Sequence, residues 1–266
     1  MTDRAVAEEL VRWEEACVSR REAVRIGFEV LPATEWIIGA GYGRGGADQS
    51  TMLDPDDFPE VTEKSMRGLL RDAVESLVKW HPTIAGPRCQ GSDEEARKYC
   101  GPSEACPVCR ICGSVLRRSG WHVSSARLAT RKRNLICAVE EAMGGGRDLR
   151  GSLVDRRTRV AINAELGRAA QHKLFEFETA AAGLALEGFV EERPPLALSG
   201  SARARDALVI CAGLRLIERL GGHRRKGWGQ VKVRPLTIKP RIPGFPDNLP
   251  DFVKAALAAP VMEDQP

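Results

Sequence analysis

Between Thr62 and Trp80 the chain reads TEKSMRGLLRDAVESLVKW, and its apolar residues return at helical intervals. Met66, Leu69, Leu70, Ala73, Val74, Leu77 and Val78 fall at i, i+3, i+4, i+7, i+8, i+11 and i+12, one unbroken stripe down an amphipathic helix. Thr62 is placed to cap it and Pro82 to end it. A helix with a single apolar face needs a second layer to bury that face against. The flanking segments supply one. Ala23–Leu31 (AVRIGFEVL) alternates Val24, Ile26, Phe28 and Val30 with Arg25, Gly27 and Glu29, the period of a half-buried strand. Trp121–Ala129 (WHVSSARLA), Ala185–Glu192 (ALEGFVEE) and Gln230–Leu236 (QVKVRPL) read as three further strands. Ala204–Leu220 reads as a largely buried helix stopped by Gly221 and Gly222.

Strand, helix, strand, strand, helix, strand is the order of a split βαβ unit, so the expected fold class is α+β with a ferredoxin-like (RRM-like) core. Residues 1–23 are expected to form a helical extension, with Leu10, Val11, Trp13 and Ala16 on its apolar face. The core spans 24–240 and carries two excursions: a cysteine-rich insertion at 82–113, and a hairpin-like region at 144–183 introduced by Gly144–Gly146. Residues 241–266 read as a proline-rich tail. From Gly39 to Pro59 glycine, aspartate and proline deny a regular element, and long loops of this kind are often functional. A chain of 266 residues can bury a sizeable core. It contains no run of 18 apolar residues, and its first residues (MTDRAVAEEL) are charged, so the expectation is a cytoplasmic protein without a membrane partner.

The formal charge of +4 is only mildly basic, so what matters is where the cations sit. Leu220–Gly229 (LGGHRRKGWG) sets Gly221, Gly222, Gly227 and Gly229 around His223, Arg224, Arg225 and Lys226, and adds Trp228. Glycines let a backbone approach a phosphate closely, while amide N–H groups and guanidinium forks face the anion. Trp228 offers a stacking face for a base or an arginine. A basic run by itself is usually a solvated turn; glycines on both sides and a tryptophan favour RNA. The spacing is not that of a Walker loop. Aromatics are only 5% of the chain, so base stacking cannot be the main mode of binding throughout. Lys64, Ser65, Arg67 and Arg71 sit in the first turns of the helix, where free N–H groups favour phosphate. Arg127, Arg131, Lys132 and Arg133 could track a backbone, although charge runs are commonly just solvated.

Cys89, Cys100, Cys106, Cys109 and Cys112 crowd one stretch, with Cys106 and Cys109 in a Cys-x-x-Cys knuckle. Zinc takes four soft ligands, and a two-residue gap lets both thiolates reach one ion. So little apolar sequence surrounds them that a structural metal would supply folding energy. Five cysteines exceed four places. Cys17, Cys137 and Cys211 read as packing residues.

The helix–glycine–glycine–basic–Gly-x-Gly–strand pattern around residue 222 resembles the signature loop of the RAMP superfamily, whose members include the backbone subunits of type III CRISPR effectors. Four further segments match in order: Asp48–Asp54 (DQSTMLD), Ser65–Arg71 (SMRGLLR), Cys106–Gly113 (CPVCRICG) and Val154–Glu178 (VDRRTRVAINAELGRAAQHKLFEFE). They cover roughly residues 24–236. Two departures stand out. Thr62-Glu63-Lys64 replaces a usual Pro-Gly-Ser, and Cys112 replaces a usual Phe.

The resemblance implies that the chain coats a guide CRISPR RNA through phosphates and shape, leaving sequence to base pairing with a complementary target RNA. It implies other effector subunits, and further copies of the chain, as partners. It makes Asp48 the candidate for metal-dependent target cleavage, with Mg²⁺ or Mn²⁺ as cofactor, and leaves Asp54, Asp56 and Asp57 to shape the turn. It makes 144–183 a thumb in which Arg156 and Arg157 meet RNA and Val160 and Ile162 form a wedge, residues that would equally suit a small core. Because Cys112 stands at an apolar position of the family, it assigns Cys89, Cys100, Cys106 and Cys109 to structural Zn²⁺, with Cys112 and His81 in reserve. Three other readings remain: a non-cleaving adaptor or capping subunit, a guide-processing endoribonuclease using His223 or His122 as base, and a zinc ribbon that binds only proteins.

Overall fold

The computed structural model describes residues 23–43, 45–80, 100, 105–114, 117–144, 148–163, 165–193 and 200–240. The expected N-terminal helix, His81, Cys89 and the proline-rich tail lie outside them. Strand β1 (Arg25–Pro32) buries Ile26, Phe28 and Val30 on one face together with the preceding Val24, as the alternation requires. It is paired on both sides. Strand β6 (Leu186–Glu192) runs antiparallel to it from Arg25↔Glu191 to Val30↔Leu186. Strand β7 (Val231–Lys239) runs antiparallel from Arg25↔Lys239 to Pro32↔Val231, with a bulge at Gly27/Phe28. Two short strands, β2 (Trp121–Val123) and β3 (Arg127–Leu128), extend the sheet by pairing with β6, so the order is β2-β6-β1-β7.

Helix α1 (Glu63–Trp80) places Met66, Leu70, Ala73, Val74, Leu77 and Val78 inward, the stripe read from the sequence apart from Leu69, which is half-buried at its border. It packs against helix α4 (Gly200–Leu216), where a Cβ on Gly213 would come 3.1 Å from both Leu70 Cδ1 and Val74 Cγ2. That glycine sets how closely the two helices approach. Between them come the short α2 (Pro107–Cys112), and α3 (Thr130–Ala142). Strands β4 (Val154–Asn163) and β5 (Arg168–Ala180) form a separate antiparallel hairpin, the excursion expected at 144–183. No helix among the described residues is long and apolar enough to cross a membrane.

Two boundaries differ from expectation. Helix α4 ends at Leu216 rather than Leu220; Ile217 and Leu220 stay buried, but the chain there is extended and bridges to Gln230. Helical spacing and core burial part company at that point. Helix α3 occupies a stretch expected only as basic residues following a strand; Leu135 and Val139 on it are exposed, while Ile136 and Cys137 pack half-buried against the core.

Candidate nucleic-acid interface

The loop after β1 is laced to the hairpin. Trp36 and Ala180 exchange both backbone hydrogen bonds, at 3.2 and 2.7 Å. Further on, the Asp48 N–H donates to Glu176 O at 2.9 Å, and the Glu176 N–H donates back to Asp48 Oδ2 at 2.7 Å. Glu178 N–H then bonds Gln49 O at 2.9 Å. Asp48 is exposed, yet both its backbone and its carboxylate are fixed to one residue of β5. A freely moving loop aspartate could not hold a reacting group in place; this one is oriented. Asp54 shapes the turn as expected, accepting from the Asp56 and Phe58 N–H groups at 2.9 and 3.1 Å.

The glycine-basic loop is pinned to the same stretch. Gly222 N–H donates to Ile37 O at 2.9 Å, and Gly229 N–H to Glu35 O at 2.8 Å. Gly221 has φ +70°, and a Cβ there would stand 2.0 Å from Ile37 O, so only glycine fits. Arg224–Lys226 form a 3₁₀ turn entered through His223 at φ 56°. Arg224, Arg225 and Lys226 are exposed, with Arg224 Nε donating to Gly221 O. Trp228 is only 9% exposed. The Arg159 guanidinium lies 4.4 Å over its ring, so the face read as a stacking surface carries an arginine here. His223 sits edge-on to Phe177 and Trp228, at 4.8 and 5.2 Å between centroids. Burial, and then the nearby Lys226 and Arg159, hold its pKa below the ordinary histidine value.

Phe177 joins these parts. It follows Glu176, which holds Asp48, and it touches both His223 and Trp228. Asp48 and the glycine-basic loop are therefore anchored to adjacent residues of β5. Sequence reasoning singles out neither Phe177 nor Arg159. The available signal is the alternation of Leu174-Phe175-Glu176-Phe177-Glu178, which marks a strand but not its partners.

The remaining cations divide into two groups. Lys64 and Arg67 are exposed at the start of α1, where Thr62 Oγ1 accepts from Ser65 N–H at 3.3 Å as the cap. Arg71 is engaged with Glu75 at 2.8 Å and with Gly113 O. Arg127 pairs with Glu60 at 2.7 Å, and Arg133 with Asp54 and Asp56. Arg157 forks onto Glu35 and also meets Asp155; that fork holds the Glu35 carboxyl below its ordinary range. Arg156 lies 3.9 Å from Glu178. Val160 and Ile162 are exposed at 49% and 62%, so they build no small core within the hairpin. The start of α1 and the glycine-basic loop share one end of the sheet, where β1 finishes, towards opposite edges: Val61 pairs with Ala126 beside β3, while Pro32 pairs with Val231.

Cys100, Cys106 and Cys109 place their sulfurs within 4.8 Å of one another. Cys106 Sγ caps α2 by accepting from Cys109 N–H, and Cys100 Sγ accepts from Cys106 N–H at 3.4 Å. Backbone N–H donors aimed at sulfur favour thiolate charge, and three close thiols suit a soft ion such as zinc. Burial pushes the Cys106 thiol up to about 11, so a metal binding there would displace its proton. Cys112 is not in this group; burial raises its thiol to about 12. Cys89, the fourth assigned ligand, lies outside the described residues. Arg110 docks α2 on α4 by a bidentate fork to the fully buried Asp206, at 2.5–3.1 Å. Cys211 is buried on α4 and Cys137 half-buried on α3, both as packing residues.

No curated protein matches the chain in sequence. Solved structures share its fold, among them two of type III-B Cmr-beta. A chain in a cryo-EM structure of type III-B Cmr-beta in the apo state superposes with TM-score 0.54 at 11% identity, over 80% of this chain and 97% of its own. A chain in the type III-B Cmr-beta structure bound to cognate target RNA gives 0.53 at 11% identity, over 79% and 96%. The family model of the RAMP superfamily matches residues 32–232, three-quarters of the sequence and every element of the surface built up above. The chain belongs to the RAMP superfamily.

Proposed function

We propose that this chain is a guide-RNA-binding backbone subunit of a type III CRISPR ribonucleoprotein in the cytoplasm, and that Asp48 supports metal-dependent cleavage of target RNA. The carrying observation is the double clamp of Asp48 on Glu176, next to the Phe177 that touches the glycine-basic loop. It supports a carboxylate presented rigidly beside a cationic, glycine-hinged surface, which is what in-line attack on a phosphodiester needs. On this reading the sheet order β2-β6-β1-β7 with α1 and α4 is a ferredoxin-like core, β4-β5 is the thumb, and the cysteine group is a structural zinc insertion. Arg224, Arg225, Lys226, Lys64 and Arg67 would neutralise phosphates of the guide, with other effector subunits and further copies of the chain alongside.

Asp48 would hold Mg²⁺ or Mn²⁺, which when bound supplies charge stabilisation at the scissile phosphate. The carboxylate would also orient the ribose 2′-hydroxyl that attacks, forming a new bond to phosphorus as the bond to the 5′-oxygen breaks. A guide-processing enzyme would instead need an accessible histidine base. His223 is packed edge-on between two aromatic rings, and His122 is packed edge-on to Phe189, with Arg193 at 3.3 Å. In the complex assembled with its guide, Asp48→Ala should slow target cleavage by about 100-fold or more while leaving guide occupancy unchanged. Cleavage at the wild-type rate, or loss confined to His223→Ala or His122→Ala, would refute this assignment.

A further inference from the structure

We propose that Arg159 of β4 is a further RNA-contact residue, holding a backbone phosphate of the guide strand beside the glycine-basic loop; this rests on the RNA-binding reading above. The base of the hairpin carries Arg156, Arg157 and Arg159 in one short run. Arg156 lies 3.9 Å from Glu178, and Arg157 is paired with Glu35 and Asp155. Arg159 differs from both. It is half-buried, and among the described residues no carboxylate pairs with it and no backbone carbonyl accepts from it. A partly desolvated cation without a counter-charge is costly until an anion arrives.

What holds Arg159 is the Trp228 ring, 4.4 Å from its guanidinium. A cation–π contact takes up no hydrogen-bond acceptor, so the planar N–H fork still has its donors to give. Trp228 is itself fixed. It is edge-on to His223 and Phe177, and the N–H of the next residue, Gly229, is bonded to Glu35 O at 2.8 Å. The guanidinium is therefore held ready at the junction of hairpin and loop rather than loose in solvent.

Its neighbours decide the ligand. Burial first, and then Lys226 and Arg159, lower the His223 pKa, so these two cations act on one ring. Arg224, Arg225 and Lys226 are exposed in the same turn. Glu35, whose carboxyl also feels Arg159, is taken by the Arg157 fork. Like charges gathered in this way repel one another until an anion sits among them. A phosphodiester supplies that charge, and its non-bridging oxygens match the fork. A neutral base supplies none. Phosphate contacts also carry no sequence information, as a subunit that leaves sequence to base pairing requires.

The test measures binding of the full chain to single-stranded guide RNA across a salt series. Wild type and Arg159→Gln are compared on guides carrying one uncharged methylphosphonate at successive positions. Arg159→Gln should weaken binding about tenfold and make the slope of log affinity against log salt shallower by about 0.7. One methylphosphonate position should weaken the wild type by a similar factor yet cost the variant little more, because both changes remove the same contact. Arg159→Lys should restore the slope but only part of the affinity, since an ammonium keeps the charge and lacks the fork. Were Arg159 only a prop for Trp228, Arg159→Gln would weaken binding at an unchanged slope, and every methylphosphonate would add its full penalty; that result would overturn the contact. Wild-type binding by Arg159→Gln, with the slope still shallower on loss of Arg225 and Lys226, would overturn it too while leaving the RNA-binding reading in place. Failure of the wild type to bind guide RNA would overturn both.

Discussion

At the scale of single residues, the most consequential interaction outside the RNA surface is Arg110 with Asp206. The carboxylate is fully buried, and burial pushes its pKa up against the pull of the guanidinium. Removing one partner strands a buried charge, so Arg110→Met should cost about 3–5 kcal/mol in urea denaturation. The double variant Arg110→Met/Asp206→Leu should regain most of that loss; equal instability of single and double variants would refute the account. The same scale shows what sequence conceals. Asp48 is placeable on a functional loop, but its clamp joins residues 128 positions apart, and no local pattern announces such a pair. Arg71, Arg127 and Arg157 look like phosphate ligands for the same reason: their partners Glu75, Glu60 and Glu35 emerge only once the chain is folded, apart from the i,i+4 pair.

At the scale of elements, periodicity is legible wherever one face is buried. The β1 alternation recurs residue for residue in the structure, and the α1 stripe does so except at Leu69, which is half-buried. Helix α3 is not legible because its inward face is thin: Glu140, bonded to Arg150, is its one buried residue, Ile136 and Cys137 are half-buried, and Leu135 and Val139 are exposed, so no clean stripe forms. The end of α4 escapes detection because a buried extended run and a buried helical turn carry the same apolar residues. Helix α2 buries Val108, Cys109 and Ile111 in the core, with the Cys100, Cys106 and Cys109 thiols gathered at its start. With a capping thiol at Cys106 and six residues, it has little intrinsic stability. The protein should therefore carry about one zinc per chain by elemental analysis. Prolonged chelation should lower its melting temperature, and Cys106→Ser or Cys109→Ser should abolish the zinc. Zinc-free protein with unchanged melting would remove the metal from the account.

At the scale of the molecule, affinity for RNA should come mainly from exposed cations rather than stacking, since the Trp228 face is occupied by Arg159. Plotting log affinity against log salt should then give a steep negative slope. Removing Arg225 and Lys226 together should make that slope shallower by about 1.4, near 0.7 for each single-strand phosphate no longer neutralised. A salt-independent affinity would instead favour a protein that binds only other proteins. The order of strands is readable in advance; the meeting of the hairpin, the Asp48 loop and residues 221–229 is not, because it depends on pairings across most of the chain. One of those pairings has a consequence for synthesis. Strand β1 is synthesised well before its partner β7, and the cationic loop directly precedes β7. Completing the β1–β7 pairing and presenting residues 224–226 thus become a single event, so those three cations are displayed in place only on a chain whose central sheet has closed.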